Sequence, residues 1–306
     1  MIGSRKSKLA MTQTHHVRDL LLEQDPELEI QIEKIVTSGD KILDSPLSQI
    51  GDRGLFVKEI EEALLDERID VAVHSAKDVP TELPPGLDLV AFPAREDPGD
   101  VFVGSLNDPS DLGRGGRIGT SSLRRRSQIL AAFPDLEVVD IRGNVETRIR
   151  KISEQGLEGT ILAAAGLRRL GRSEDVAFVF PPSVMLGAVG QGALALEGRK
   201  GDERMADLMK ALDHHPTRVA VLAERALMRE LEGGCQVPIG AQGTLSVDSL
   251  HLIAYVGSVD GALHIRRERT DSADRPEELG VDLAQEMLAA GADKILAGVR
   301  AGEGPA

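Results

Sequence analysis

Aromatic residues are nearly missing from this sequence: 306 residues hold no Trp, one Tyr and six Phe. Cysteine is scarcer still, with Cys235 alone. The first scarcity, joined to a formal net charge of -14, argues against a nucleic-acid binder, which needs a basic face and usually stacking rings. The second excludes an internal disulfide framework and fits a reducing compartment. No run approaches the ~20 apolar residues of a membrane span. No apolar stretch follows Arg5, Lys6 and Lys8, so a signal peptide is not expected. These absences predict a cytoplasmic protein with neither a membrane nor a nucleic-acid partner. A metal site is not expected either, because His15-His16 and His214-His215 are adjacent pairs whose side chains point apart. Gly113 to Gly116 is too loosely spaced for a nucleotide loop. Lysine, finally, is missing between Arg114 and Arg150, where eight arginines stand against four acids. Arginine used alone points to planar, bidentate recognition of carboxylate or phosphate; the plainer alternative is a solvated charged face.

What is present is a repeated grammar of strand, polar turn and helix. With 41% hydrophobic and 28% charged residues, the chain has the composition of a globular protein of two or three domains, roughly 100–150 residues each. Met1 to Ser4 reads as a short strand, followed by a helix from about Ser7 to Gln24. Leu28 to Ile32 alternates as a strand, Thr37 to Arg53 reads as a long mobile loop, and Phe56, Val57, Ile60, Ala63 and Leu64 mark a helix. Asp70 to His74 is an apolar run suited to burial in a parallel sheet. Ser75 to Pro80 leaves its carboxyl end, where open α/β sheets place ligands. Leu87 to Phe92 is a further strand, and Pro93 to Asp100 breaks all periodicity, as a hinge does. A second series starts at Val101. In it a serine N-cap opens a helix at Ser121-Ser122, Leu136 to Ile141 is a strand before a helix opened by Arg142-Gly143-Asn144, and Gly159 to Ala165 is a strand. After Leu212 the grammar changes to an amphipathic helix, Thr217 to Leu231. A hairpin signal follows, with Leu250–Ser258 and Ala262–Arg269 joined around Asp260-Gly261. Two helices, Pro276–Ala289 and Asp293–Val299, close the chain. The expected fold is α/β, with two hinged domains and a smaller C-terminal α+β domain.

Three groups of residues could carry chemistry. Cys235 follows Gly233-Gly234, which stop a helix, and precedes Pro238, which prevents its resumption. A lone cysteine is most often a small buried hydrophobe, yet such a thiol needs no glycine pair. Asp78 is the single acid of the polar turns; it either caps its own turn or faces the arginines to stabilise a cation or shuttle a proton. His74 reads as a packing or turn residue. Ser121 and Ser122 place hydroxyls and free amides at a helix N-terminus, a ready anion site. Arg124 and Arg125 lie about 100° apart on a helix, so they are not expected to share one carboxylate, and two or more acidic groups are implied. Arg142 at a strand end and Arg148 in the next helix are placed to converge on the same cleft.

Six stretches together resemble one family: Arg5 to Ala10, Gly54 to Glu59, His74 to Pro80, Gly119 to Arg125, Arg142 to Val145, and Glu232 to Cys235. They stand in the order found in porphobilinogen deaminases (hydroxymethylbilane synthases) of tetrapyrrole and haem biosynthesis. The resemblance implies two domains similar to type II periplasmic binding proteins and a third, smaller one. Domain 1 would comprise residues 1–93 and 193–212, domain 2 residues 98–188, and domain 3 residues 216–306, the chain leaving domain 2 near Gln191. It implies a transferase carrying a dipyrromethane cofactor on Cys235 through a thioether. On that primer four porphobilinogen units would be joined, with release of ammonia and then hydroxymethylbilane. Asp78 would be catalytic, accepting the pyrrole N–H and balancing the cation left when ammonia departs. Arg5, Lys77, Arg124, Arg125, Arg142, Arg148 and Arg169 would hold the many carboxylates. Ser7, Ser75, Thr120 and Ser122 would add hydroxyls, and Gly143 and Gln191 would belong to the same site. Arg53 and Phe56 fall on a loop that is mobile in the family. That loop usually carries lysines where Gln49 and Arg53 stand here, and with Asp52 beside them a weaker closure over carboxylates is expected. The expected partner is the small-molecule substrate, bound by a monomer. A non-catalytic dicarboxylate-binding protein would share the cleft without needing Cys235, and a cysteine hydrolase would need a positioned histidine that no signature around Cys235 supplies.

Overall fold

Strand periodicity decides the layers of this molecule, whose computed structural model describes residues 1–41, 57–232 and 237–302. The first sheet contains β1 (Ile2–Arg5), β2 (Ile32–Ile35), β3 (Val71–Ser75), β4 (Leu87–Ala91) and, from much later in the chain, β10 (Leu194–Arg199). Val71 and Val73 enter one core and Ala72 the opposite one, as the two-residue period of a strand requires. Helices α1 (Lys8–Gln24) and α7 (Glu203–Lys210) cover the first face through Val17, Leu21 and Met209, and α3 (Lys58–Leu65) covers the second through Ile60, Ala63 and Leu64. A single turn, α2 (Ser38–Lys41), follows β2.

The second sheet is built from β5 (Asp100–Gly104), β6 (Arg117–Gly119), β7 (Glu137–Val139), β8 (Gly159–Ala163) and β9 (Phe178–Val179), with helices α4 (Leu123–Ala132), α5 (Val145–Glu154) and α6 (Ala164–Arg169). Its order, β7-β6-β8-β5-β9, repeats the β2-β1-β3-β10-β4 order of the first. In each sheet the strand entered by a crossing from the other lobe, β10 or β5, runs antiparallel to both neighbours. The two crossings, residues 92–99 and 180–193, are tied to each other. Gln191 Nε2 donates to Pro98 O at 2.7 Å, and Glu96 N donates to Gly192 O at 3.2 Å.

The C-terminal domain packs one antiparallel sheet, β11 (Ile239–Ser246), β12 (Ser249–Gly257) and β13 (His264–Ser272), against α8 (His215–Glu230), α9 (Pro276–Ala289) and α10 (Ala292–Ala301) around a single core. Helices α8 and α9 meet closely because Gly280 has no side chain; a Cβ there would overlap the Ala223 carbonyl oxygen. The turn between β12 and β13 docks on the second lobe, where Gly261, at φ +74°, faces the α4 backbone at Ser127 and Ala131. The hydroxyls of Ser127 and Tyr255 are 2.8 Å apart at the same contact.

Several boundaries differ from expectation. The second strand is Ile32–Ile35, not Leu28–Ile32; Leu28 and Ile30 pack against the first core from an irregular segment. The expected loop from Thr37 begins as the helical turn α2, and its remainder from residue 42, with Gln49, Arg53 and Phe56, lies outside the described residues. Cys235 lies outside them too. Strand β11 was hidden because Gly240 and Gly243 interrupt its alternation. Among the described residues no helix is long and apolar enough to cross a membrane, and no group of three or more His, Cys, Asp or Glu could hold a metal ion.

Candidate active site

Strand β3 ends at Ser75 and passes directly into a 3₁₀ turn, Ala76–Asp78. Ala76 N donates to Ala193 O of the second crossing at 3.0 Å, which holds the turn against the hinge. Asp78 is exposed and, among the described residues, is the one shared by two adjoining cavities. The smaller, about 60 Å³, brings Arg5, Ser7, His74 and Ser75 to it. The larger, about 200 Å³, brings Lys77, Ser122, Arg124, Arg125 and Gln191 from both lobes and the hinge, with Val237 and Ile239 of the C-terminal domain on its wall.

The charges of the larger cavity are organised by a residue the motifs do not single out. Asp100, fully buried as the first residue of β5, accepts from Arg124 Nη1 at 2.6 Å and from Arg125 Nη2 at 2.7 Å. The expectation that adjacent arginines could not share a carboxylate is therefore wrong. Each guanidinium takes a different oxygen, and the long stems absorb the angle between them. Burial alone would raise the Asp100 pKa, but the two guanidiniums outweigh it and hold the carboxyl well below the usual carboxylate range. Burial also lowers the Arg124 pKa, and Asp100 partly restores it. Two arginines against one carboxylate leave a net positive charge, and Gln191 completes the set, donating from Nε2 to Asp100 Oδ1 at 3.0 Å. Lys77 Nζ reaches Gln191 Oε1 at 3.5 Å. Burial brings the Lys77 amine down to about 8, with Asp78 opposing and Arg125 reinforcing the shift.

The other expected residues divide by what they touch. Arg148 donates from Nε to Gly143 O at 2.8 Å, and burial, with Arg125 and Arg142 nearby, lowers its pKa to about 10 while Asp78 draws it up. Gly143 needs to be glycine, since its φ is +121°. Arg169 donates to Gly192 O at 2.7 Å on the hinge. Ser7 and Ser122 cap α1 and α4, Ser75 bonds Gln13, and buried Thr120 accepts from Ser122 N at 3.2 Å. Four of these hydroxyls thus already have duties in the fold. His74 is buried against Glu197, Nε2 to Oε2 at 2.9 Å. Burial first, and then Glu197, raises nearby Glu61 to about 7.

Helix α8, which leads to the Cys235 segment, is pinned to the hinge by buried Glu224. That carboxylate accepts from Arg95 at 2.6 and 3.1 Å, from Gly190 N at 2.7 Å and from Gly243 N at 2.8 Å. Its neighbour Arg225 reaches the backbone just beyond Asp78. Neither residue was visible as functional, because in sequence both sit within an ordinary amphipathic helix.

Fold and donors together define a two-lobed α/β protein built to hold an anion at its hinge. The chain belongs to the porphobilinogen deaminase family. The family's model described as "Porphobilinogen deaminase, dipyromethane cofactor binding domain" matches residues 1–207, and that described as "Porphobilinogen deaminase, C-terminal domain" matches residues 219–289. The porphobilinogen deaminase of Trichlorobacter lovleyi is 51% identical over 96% of this chain and 95% of its own. Those of Geobacter sulfurreducens and Carboxydothermus hydrogenoformans are 50% and 48% identical, over 97% and 98% of this chain and 94% and 97% of theirs. Among solved structures, the unliganded open L-cystine solute receptor of Neisseria gonorrhoeae aligns with a TM-score of 0.39 at 14% identity, over 69% of this chain and 84% of that one.

Proposed function

We propose that this enzyme joins four porphobilinogen molecules head to tail on a dipyrromethane primer bound to Cys235, releasing ammonia at each step and hydroxymethylbilane at the end. The observation that carries this reading is Asp78, an exposed carboxylate common to two cavities whose other polar lining side chains are cationic, amide, hydroxyl or imidazole groups. The donor set fits the group. A pyrrole bearing acetate and propionate needs several cations, and the larger cavity presents Lys77, Arg124 and Arg125 beside Ser122 and Gln191. When bound, the dipyrromethane supplies the terminal pyrrole carbon to which the first unit is joined. Cys235 holds it, and Val237, two residues on, lines the same cavity. Arg124 and Arg125, held by their bonds to Asp100, bring one net positive charge to a carboxylate. Arg5, Ser7 and Ser75 orient the incoming unit in the smaller cavity, and Arg142, Arg148 and Arg169 hold carboxylates as the chain grows. Asp78 accepts the pyrrole N–H and stabilises the positive charge that develops as ammonia leaves, a contribution largest in the transition state. We divide the chain into 1–93 with 193–212, 98–188 and 216–306, which the return of β10 to the first sheet supports. We read the enzyme as a cytoplasmic monomer acting on small molecules only; its net charge of -14 disfavours nucleic acid.

Denaturing mass spectrometry tests the reading, since a thioether survives unfolding and a bound ligand does not. The purified protein is expected to exceed its sequence mass by one dipyrromethane, and Cys235→Ser is expected to lack the increment. Added porphobilinogen is expected to give a ladder of single-pyrrole additions ending at four. An active enzyme at its bare sequence mass, or a single adduct that never extends, would falsify the primer mechanism.

A further inference from the structure

Adjacent residues of α8 face different neighbours. Glu224 grips the hinge, and Arg225, about 100° further round the helix, faces the turn that carries Asp78. Arg225 is 8% exposed. It donates from Nη1 to Val79 O at 3.1 Å and from Nη2 to Pro80 O at 2.6 Å and Thr81 O at 3.3 Å. Residues 79–81 belong to neither helix nor strand, so these three successive carbonyls have no ladder to satisfy them. One planar guanidinium serves all three; a lysine, as a point charge, could not hold them in one geometry. Docking of α8 does not depend on this fork. The Arg95–Glu224 pair and the packing of Val221 with Ala76 and Val79 already join helix and lobe. What the fork adds is register. It fixes the backbone immediately after Asp78 against the helix that runs to Glu230, five residues before Cys235.

We propose that Arg225 is a positioning residue for chain elongation, setting the Asp78 carboxylate relative to the helix from which the primer-bearing segment issues. It touches neither substrate nor primer. The inference rests on Asp78 being the acid of the reaction, and the experiment separates the two claims. Holoenzymes carrying Arg225→Lys, Arg225→Gln and Asp78→Asn, and the combination of Arg225→Lys with Asp78→Asn, are first checked for primer by mass. Both single Arg225 variants are expected to keep the primer and a KM within about twofold of the parent, while kcat falls about ten- to a hundredfold, Gln more than Lys, the size of loss a misplaced catalytic group produces. On the Asp78→Asn background, Arg225→Lys is expected to cost almost nothing further, because both changes act through one step. Parental turnover per loaded molecule, or losses that simply add, overturns the proposal even if Tm falls. If the Gln variant does not fold, the Lys variant decides alone. Normal turnover by Asp78→Asn removes the reading of Asp78 itself, whereas an inactive Asp78→Asn beside a normal Arg225→Lys removes only Arg225.

Discussion

Asp100 shows how a residue invisible as a motif can organise those that are visible. Its replacement by asparagine strands two buried guanidiniums, a loss of about 3–5 kcal/mol, which urea unfolding at neutral pH is expected to show. The sign with pH follows from the depressed folded-state value. Its stabilisation is present above the ordinary carboxylate pKa and is lost as pH falls through the folded one, so Asp100→Asn is expected to flatten the acid limb of the stability profile. Lys77 titrates at the other end. With its amine at about 8 it carries charge only below that pH, so kcat/KM for porphobilinogen is expected to fall above about pH 8. Lys77→Arg is expected to move that limb upward, as the pH profile of the free enzyme reports. The residues that sequence made legible, Asp78 and the arginines at strand ends, are those whose chemistry follows from type and position along the chain. Asp100 was not, because its role depends on two side chains more than twenty residues away meeting it in a buried space.

Elements were legible where one periodicity ruled and illegible where glycine or a crossing intervened. Helices α1, α4 and α5 open at Ser7, Ser122 and Asn144, whose side chains accept from the first turn, the capping that short polar residues supply. The shared topology of the two lobes could not be read from periodicity, because β10 returns to the first sheet from 103 residues beyond the end of β4 and its pairing is non-local. At the α8–α9 contact the sequence gives only an unremarkable Gly280 inside a helix, a position normally better filled by alanine. Here the order reverses. Gly280→Ala is expected to destabilise the protein by about 1–3 kcal/mol through overpacking, read as a lower urea midpoint with an unchanged m-value. Turnover of the molecules that remain folded is expected to be retained.

At the scale of the molecule, the chain crosses between the lobes twice, and the C-terminal domain touches both, through α8 on the first and the β12–β13 turn on the second. Lys8 and Glu146 bridge the two lobes at 3.2 Å through exposed or partly exposed side chains, a contact worth at most about 1 kcal/mol and so readily broken. Hydrogen exchange followed through the elongation series is expected to keep the Gln191 amide, bonded to Ala188 O at 2.8 Å, protected at every length, while α5 exchanges faster as units are added. The reason lies in the pairing of the two crossings. Segments laid side by side and stitched by Gln191 restrict independent sliding, so any parting of the lobes is expected to pivot near them. Points beside an axis sweep short arcs and distant points sweep long ones. Gln191 lies on one of these segments, and Asp100 and Lys77 bond to it directly, so the cationic floor is expected to keep its spacing when the outer edges of the lobes part. On the proposed reaction, room for each new pyrrole is expected at the lip of the cleft, with the product lengthening away from its cationic base.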